Sequence, residues 1–289
     1  MNRETLIQKI KNKKSFLCIG LDSDINKIPK HLLDHDDPVF DFNKQIIDST
    51  IEFTVAYKPN TAFYESRGSK GWESLEKTFN YLKKFEDQVF TIADAKRGDI
   101  GNTSRHHAIA IYDKLGADAA TIAPYMGEDS ITPFLSYKDK WVIILALTSN
   151  KSSRDFQQLH PHTPKFIKKL GLKKYYGETL YETVIKKSMK WGGFENIMYV
   201  VGATKAEKLK HIRKIIPYHF LLIPGVGSQG GSLHKVADYG LNKQCGLLVN
   251  SSRGIIFASD QKDFAEKAQK MAHGIQHEMK VILQKKKIV

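Results

Sequence analysis

Short apolar runs rich in β-branched residues recur along the chain, each closing on a polar residue or a glycine. They are SFLCIGLD (15–22), FTVAYKPN (53–60), VFTIADAK (89–96), AATIAP (119–124), WVIILALTS (141–149), IMYVVGAT (197–204), FLLIPGVG (220–227) and GLLVNSS (246–252). Their apolar character is nearly continuous rather than alternating, which is the pattern of parallel strands covered on both faces. Between them lie segments of helical spacing at 38–51, 73–86, 102–115, 128–137, 174–191, 204–215, 231–239 and 260–284. One opens at TKAEKLKHIRKI, where Thr204 stands in position to cap and basic residues crowd the last turn. Eight strands alternating with eight helices predict an α/β protein of the (β/α)8 TIM-barrel type, in preference to a doubly wound sheet with appended strands. No internal repeat or Pro/Gly/Ser-rich linker interrupts the pattern. One barrel domain over 1–289 is therefore expected, with an insertion near 150–173 after the fifth strand, beside the face where barrel chemistry sits.

Composition adds little to the fold but narrows the setting. With 289 residues and 41% hydrophobic content, the chain can bury a core without disulfide staples. Its two cysteines, Cys18 and Cys245, both lie inside apolar runs, as reduced, buried thiols of a cytoplasmic protein do. The first residues, MNRETLIQKIKNKK, have helical spacing but no continuous apolar stretch, so they do not read as a secretory signal. The longest clean apolar run, WVIILAL, is far too short to span a bilayer, and no membrane partner is expected. A net charge of +14 favours anionic partners. The lysines, however, are scattered over helix faces rather than interleaved with aromatics, so a nucleic-acid partner is not expected.

Charge at the strand ends changes the picture more. In a barrel of this type, chemistry belongs to the C-terminal ends of the strands and the loops after them. Those positions hold Asp22, Lys58, Asp94 with Lys96, Ser149, the turn PGVGSQGG and Arg253. In TIADAKRGDI (91–100), strand alternation puts Asp94 and Lys96 on one face, with Asp99 three residues further on. Asp99 could fold back on its own site or project across an interface. A lysine held between carboxylates stays protonated. Such a cluster is either a structural ion pair that pins the loop or a fixed charge for chemistry, and buried pairs are weak devices for stability. After the seventh strand, the glycines of PGVGSQGG, among them Gly227 and Gly230, let backbone N–H groups turn toward an anion. One strand later, NSSRGI places Arg253 to grip the same anion bidentately. A small phosphorylated substrate follows. The histidines of HPH (160–162) and HH (106–107) have no third ligand at a recognisable spacing, so no metal is expected. Neither G-x-G-x-x-G after the first strand nor a P-loop occurs.

The D-x-K-x-x-D spacing of Asp94, Lys96 and Asp99, together with PGVGSQGG and the Arg253 segment, resembles the orotidine 5'-phosphate decarboxylase family. DAKRGDIGNT and AYKPNTAFYE are similar to its bacterial-type single-function subgroup. The resemblance implies decarboxylation of orotidine 5'-monophosphate to UMP in de novo pyrimidine biosynthesis, without metal or cofactor. It implies that Lys96 stabilises and protonates a C6 carbanion, that Asp94 faces the leaving carboxylate, and that Lys58 and Asp99 complete a chain of alternating charge. It further implies Asp22 and Thr103 on the ribose, Ser149 on the pyrimidine, Gln229 between base and phosphate, and Gly227, Gly230 and Arg253 at the phosphate. A homodimer is implied, with Asp99 and Thr103 contributed across the interface. The chain departs from the family pattern in NSSRG, where a serine precedes the arginine in place of a glycine. Two other readings remain: a Mg2+-dependent sugar-phosphate lyase of the same superfamily, against which Lys58 at the second strand end argues by repelling a cation, and a basic RNA-binding protein.

Overall fold

The eight apolar runs pair with one another in chain order. In the computed structural model, which describes residues 1–161, 177–227 and 230–289, the strands are β1 (Leu17–Leu21), β2 (Ala56–Pro59), β3 (Phe90–Arg97), β4 (Ala119–Ile122), β5 (Trp141–Leu147), β6 (Ile197–Val201), β7 (Phe220–Pro224) and β8 (Leu247–Ser251). All pair in parallel, and β8 returns to β1 to close a barrel. β1, β2, β6 and β8 are buried at every position, because one face fills the barrel and the other lies under helices. That double burial is why the runs are continuously apolar.

At the N-terminal end of the barrel, Phe90, Trp141 and Phe220 open β3, β5 and β7. The Trp141 ring meets both phenyl rings edge-on at 6.1 Å. Side chains from alternate strands thus form a layer that closes the floor. The N-terminal helix Arg3–Lys13 packs there, with Arg3 donating to the carbonyls of Phe194 and Tyr218. Chemistry is left to the opposite rim. Cys18 and Cys245 are free and buried, and burial pushes both thiols up to about 12. Among the described residues, no helix is long and apolar enough to cross a membrane.

Several element bounds differ from the sequence expectation, each for a local reason. The segment 128–137 is not one helix but a 3-10 turn, Glu128–Ser130, and a single turn, Thr132–Leu135. Pro133 lacks an N–H and fits only a first helical turn. The segment 102–115 is helical over Gly101–Ala108 and then widens into a π-helical stretch, Ile109–Lys114. Thr204 does not cap. Ala203–Lys205 forms a 3-10 turn ahead of the helix Ala206–Ile215, and the Thr204 hydroxyl donates to the Ser149 carbonyl instead. A short helix, Arg253–Ile256, follows β8 directly. Of the insertion expected at 150–173, residues 150–161 include the 3-10 turn Lys151–Arg154, while 162–173 lie outside the described residues.

Candidate active site

At the C-terminal rim, neighbouring strands bring charged side chains into contact. β1 and β2 pair with Gly20 opposite Lys58. A Cβ on Gly20 would come within 2.9 Å of the Ser252 side chain, so only glycine lets β1 and β8 approach this closely. Lys58 Nζ lies 2.5 Å from Asp94 Oδ2 and 3.9 Å from Asp22 Oδ1. Lys96 Nζ lies 2.6 Å from Asp94 Oδ1. Asp22, at the end of β1, takes a 2.7 Å hydrogen bond on Oδ2 from the Ser252 hydroxyl, while its buried Oδ1 has no hydrogen-bond partner among the described residues.

Burial differs sharply within the cluster. The side chains of Lys58 and Asp94 are 5% and 9% exposed, whereas that of Lys96 is 49% exposed. Burial alone would raise the Asp94 carboxyl, but the ammonium groups of Lys58 and Lys96 outweigh it and hold the group far below the usual carboxylate range. Burial would likewise lower Lys58, yet Asp94 and Asp22 keep it above an ordinary lysine. The result is a row of alternating charges whose inner members are locked ionised and whose outer ammonium faces the rim. Such an arrangement can stabilise negative charge that develops in front of Lys96.

Simple alternation is not how Asp94 and Lys96 come together. The register between β3 and β4 shifts between Ala93 and Arg97, and Lys96 has a φ of 46°. The lysine therefore reaches Asp94 from a bulge rather than from the next inward position of a regular strand. Two hydroxyls in this arrangement were not legible in the sequence, although Ser252 is expected there for its backbone N–H. Thr121 on β4 donates to Asp94 Oδ1 at 2.9 Å, and the hydroxyl of Ser252 orients Asp22. A lone threonine in the otherwise apolar AATIAP was the one available signal for the first.

The remaining candidates are distributed around the same rim. Asp99 accepts a hydrogen bond from its neighbour Ile100, and among the described residues it forms no ion pair with Lys96 of its own chain. Thr103 is exposed on the helix Gly101–Ala108. Ser149 follows β5, where the absence of a Cβ on Gly202 makes room for its backbone. The glycine turn carries positive φ at Gly225, Gly227 and Gly230. The N–H groups of Gly227 and Gly230, expected to face an anion, donate instead to the carbonyls of Gly231 and Gly227. Gly231 N–H closes the turn onto Gly225. Gln229 lies outside the described residues. Arg253 is exposed and opens the short helix after β8, where the Ile255 and Ile256 N–H groups both donate to the Ser252 carbonyl. Among the described residues, no group of three or more His, Cys, Asp or Glu side chains could hold a metal ion.

A profile described as the Orotidine 5'-phosphate decarboxylase / HUMPS family matches residues 15–268. The chain is 55% identical over 279 residues to an orotidine 5'-phosphate decarboxylase of Bacteroides fragilis (strain YCH46), covering 96% of this chain and 97% of that one. A relative of the same name from Parabacteroides distasonis is 55% identical over 289 residues, covering 100% and 99%. Among solved structures, the OMP decarboxylase of Leishmania donovani superposes with a TM-score of 0.75 at 33% identity, covering 95% of this chain and 98% of that one.

Proposed function

The chain belongs to the orotidine 5'-phosphate decarboxylase / HUMPS family and is a decarboxylase, and from that premise we propose that it converts orotidine 5'-monophosphate to UMP and CO2 through a lysine-stabilised carbanion, with no metal. The observation that carries this reading is the row Lys58–Asp94–Lys96, with its outer ammonium half-exposed at the rim. The bond between C6 and the carboxylate breaks, the electron pair stays on C6, and CO2 leaves. Lys96 then delivers its proton to C6 and regains one from solvent. A carbanion at this carbon is too unstable to form in water without a preorganised positive charge beside it. Asp94 faces the departing carboxylate and keeps the Lys96 head group from drifting. Lys58 keeps Asp94 ionised in its buried position. Its ammonium lies between Asp22 and Asp94 and would repel a divalent cation there, so the charge balance favours the metal-free route.

The phosphate end supplies binding energy that is directed to the transition state. Arg253 grips the phosphate. Gly227 and Gly230 shape the turn at positive φ, their own N–H groups being taken by carbonyls within it rather than by the phosphate, and the family resemblance assigns Gln229, outside the described residues, to base and phosphate. Asp22 binds the ribose and Ser149 the pyrimidine edge. Asp99 and Thr103 act across the interface of a homodimer. Supporting this assembly, Asp99 has no lysine partner among the described residues of its own chain, and Ile100, Tyr125 and Met126 on the adjoining loops are 52%, 89% and 53% exposed. Purified protein is expected to consume orotidylate absorbance at the same rate with and without EDTA. Strict dependence on added Mg2+ would transfer the chain to the sugar-phosphate lyase reading.

A further inference from the structure

The strand that carries Lys96 leaves its ladder at the lysine itself. β3 pairs with β4 at Ala93↔Ala120 and again at Arg97↔Ile122, so the path along β3 is longer than the path along β4 by an unpaired excess. Lys96 sits in that excess with a φ of 46°, a region that a residue with a Cβ holds only when its surroundings fix it there. Thr121, on β4 between the two paired positions, does the fixing. Its Oγ1 accepts the Lys96 backbone N–H at 2.9 Å and donates to Asp94 Oδ1 at 2.9 Å. That same carboxylate oxygen is the one Lys96 Nζ reaches at 2.6 Å.

A buried threonine hydroxyl needs partners, and a nearby strand or helix carbonyl usually serves. This one spends both its donor and its acceptor on the two ends of the Asp94–Lys96 pair. Thr121 is 1% exposed, so it acts through its neighbours rather than on a bound molecule. We propose that Thr121 is the positioning residue of the site: its hydroxyl ties the bulged backbone of Lys96 to the carboxylate that holds the Lys96 head group, and so sets where the ammonium stands. The proposal rests on the reading that Lys96 serves C6.

Thr121→Val keeps the volume and deletes both hydrogen bonds. The expected result is a fall in kcat of about ten- to hundredfold, the scale of a misplacement near 1 Å, with KM for orotidine 5'-monophosphate within about twofold. Thr121→Ser, which restores donor and acceptor, should recover most of the lost kcat. If the valine variant does not fold, the comparison is made between Thr121→Ala and Thr121→Ser, with kcat normalised to the folded fraction from thermal melts. Wild-type kcat per folded molecule, a rise in KM that matches the fall in kcat, or a serine variant no better than valine or alanine would each overturn the proposal. Lys96→Ala measured in parallel separates the two levels. If it keeps turnover, the underlying reading has failed; if it is inert while Thr121→Val is fully active, only the role of Thr121 has.

Discussion

Lys58 and Lys96 both touch Asp94, yet they differ as experimental handles because they differ in burial. Removing Lys58 would strand a carboxylate that is 9% exposed, and breaking a buried pair from one side costs about 3–5 kcal/mol. A loss of activity in such a variant would be mixed with a loss of fold. Lys96 is half in water, so deleting its amine leaves Asp94 still paired with Lys58 and the barrel intact. Arg253 is a clean handle for the same reason. It is exposed, and if it grips the phosphate as proposed, its loss removes hydrogen bonds to a charged group worth about 1.5–3 kcal/mol. Arg253→Ala should therefore raise KM for orotidine 5'-monophosphate by about ten- to hundredfold, with an unchanged thermal melt. Steady-state kinetics check this, and an unmoved KM would put the phosphate elsewhere. At this scale the charged residues of the rim were legible in the sequence, because charges at the ends of apolar runs stand out. Thr121 and the hydroxyl of Ser252 did not stand out. A hydroxyl on a buried strand looks the same whether it serves a backbone carbonyl or a neighbouring carboxylate, and only the neighbouring strand decides.

Between elements, the seam of β8, β1 and β2 sets how closely Asp22 approaches Lys58. Ser252 donates to both the Gly20 carbonyl and Asp22, while Gly20 sits opposite Lys58 on the other side. Gly20→Ala would drive a methyl to 2.9 Å from the Ser252 Cβ and Oγ. The seam must then open, at an overpacking cost of about 1–3 kcal/mol. Thermal unfolding should show a drop of several degrees, of the order of 2–8 °C, accompanied by a raised KM as Asp22 shifts. A melt and KM both equal to wild type would show that the seam yields freely. Strand existence and order were readable from periodicity, since double burial demands continuous apolar runs. The β3 bulge was not, because a register shift is a property of two strands and leaves no mark on either alone. The closed hydrogen bonding of the glycine turn was equally hidden. Glycine spacing reports that positive φ is allowed, not which way each N–H finally points.

Across the whole molecule, the barrel separates its tasks by end. The aromatic layer of Phe90, Trp141 and Phe220 seals one end, and the charged rim occupies the other. Among the described residues, Asp94 is the one carboxylate that pairs with Lys96. Asp99 stands near the exposed Ile100, turned into a hydrogen bond with its own neighbour. If the functional unit is a dimer that completes each site from its partner, two defective subunits can repair one another. Lys96→Ala and Asp99→Ala proteins, each inactive alone, should regain up to about a quarter of wild-type activity when subunits are exchanged and mixed equally, since one site of each mixed dimer is intact. Mixtures that exchange subunits, as followed by differently tagged chains, and yet remain inactive would show that each site is built within one chain.

The account turns on the half-exposed ammonium of Lys96, and its removal is the most direct test. Lys96→Ala is expected to fold as wild type, to bind UMP measurably by calorimetry through the phosphate and ribose contacts, and to show no detectable decarboxylation of orotidine 5'-monophosphate. A folded, UMP-binding Lys96→Ala that retained even about a tenth of wild-type kcat, a barrier change of only about 1.4 kcal/mol, would contradict the account.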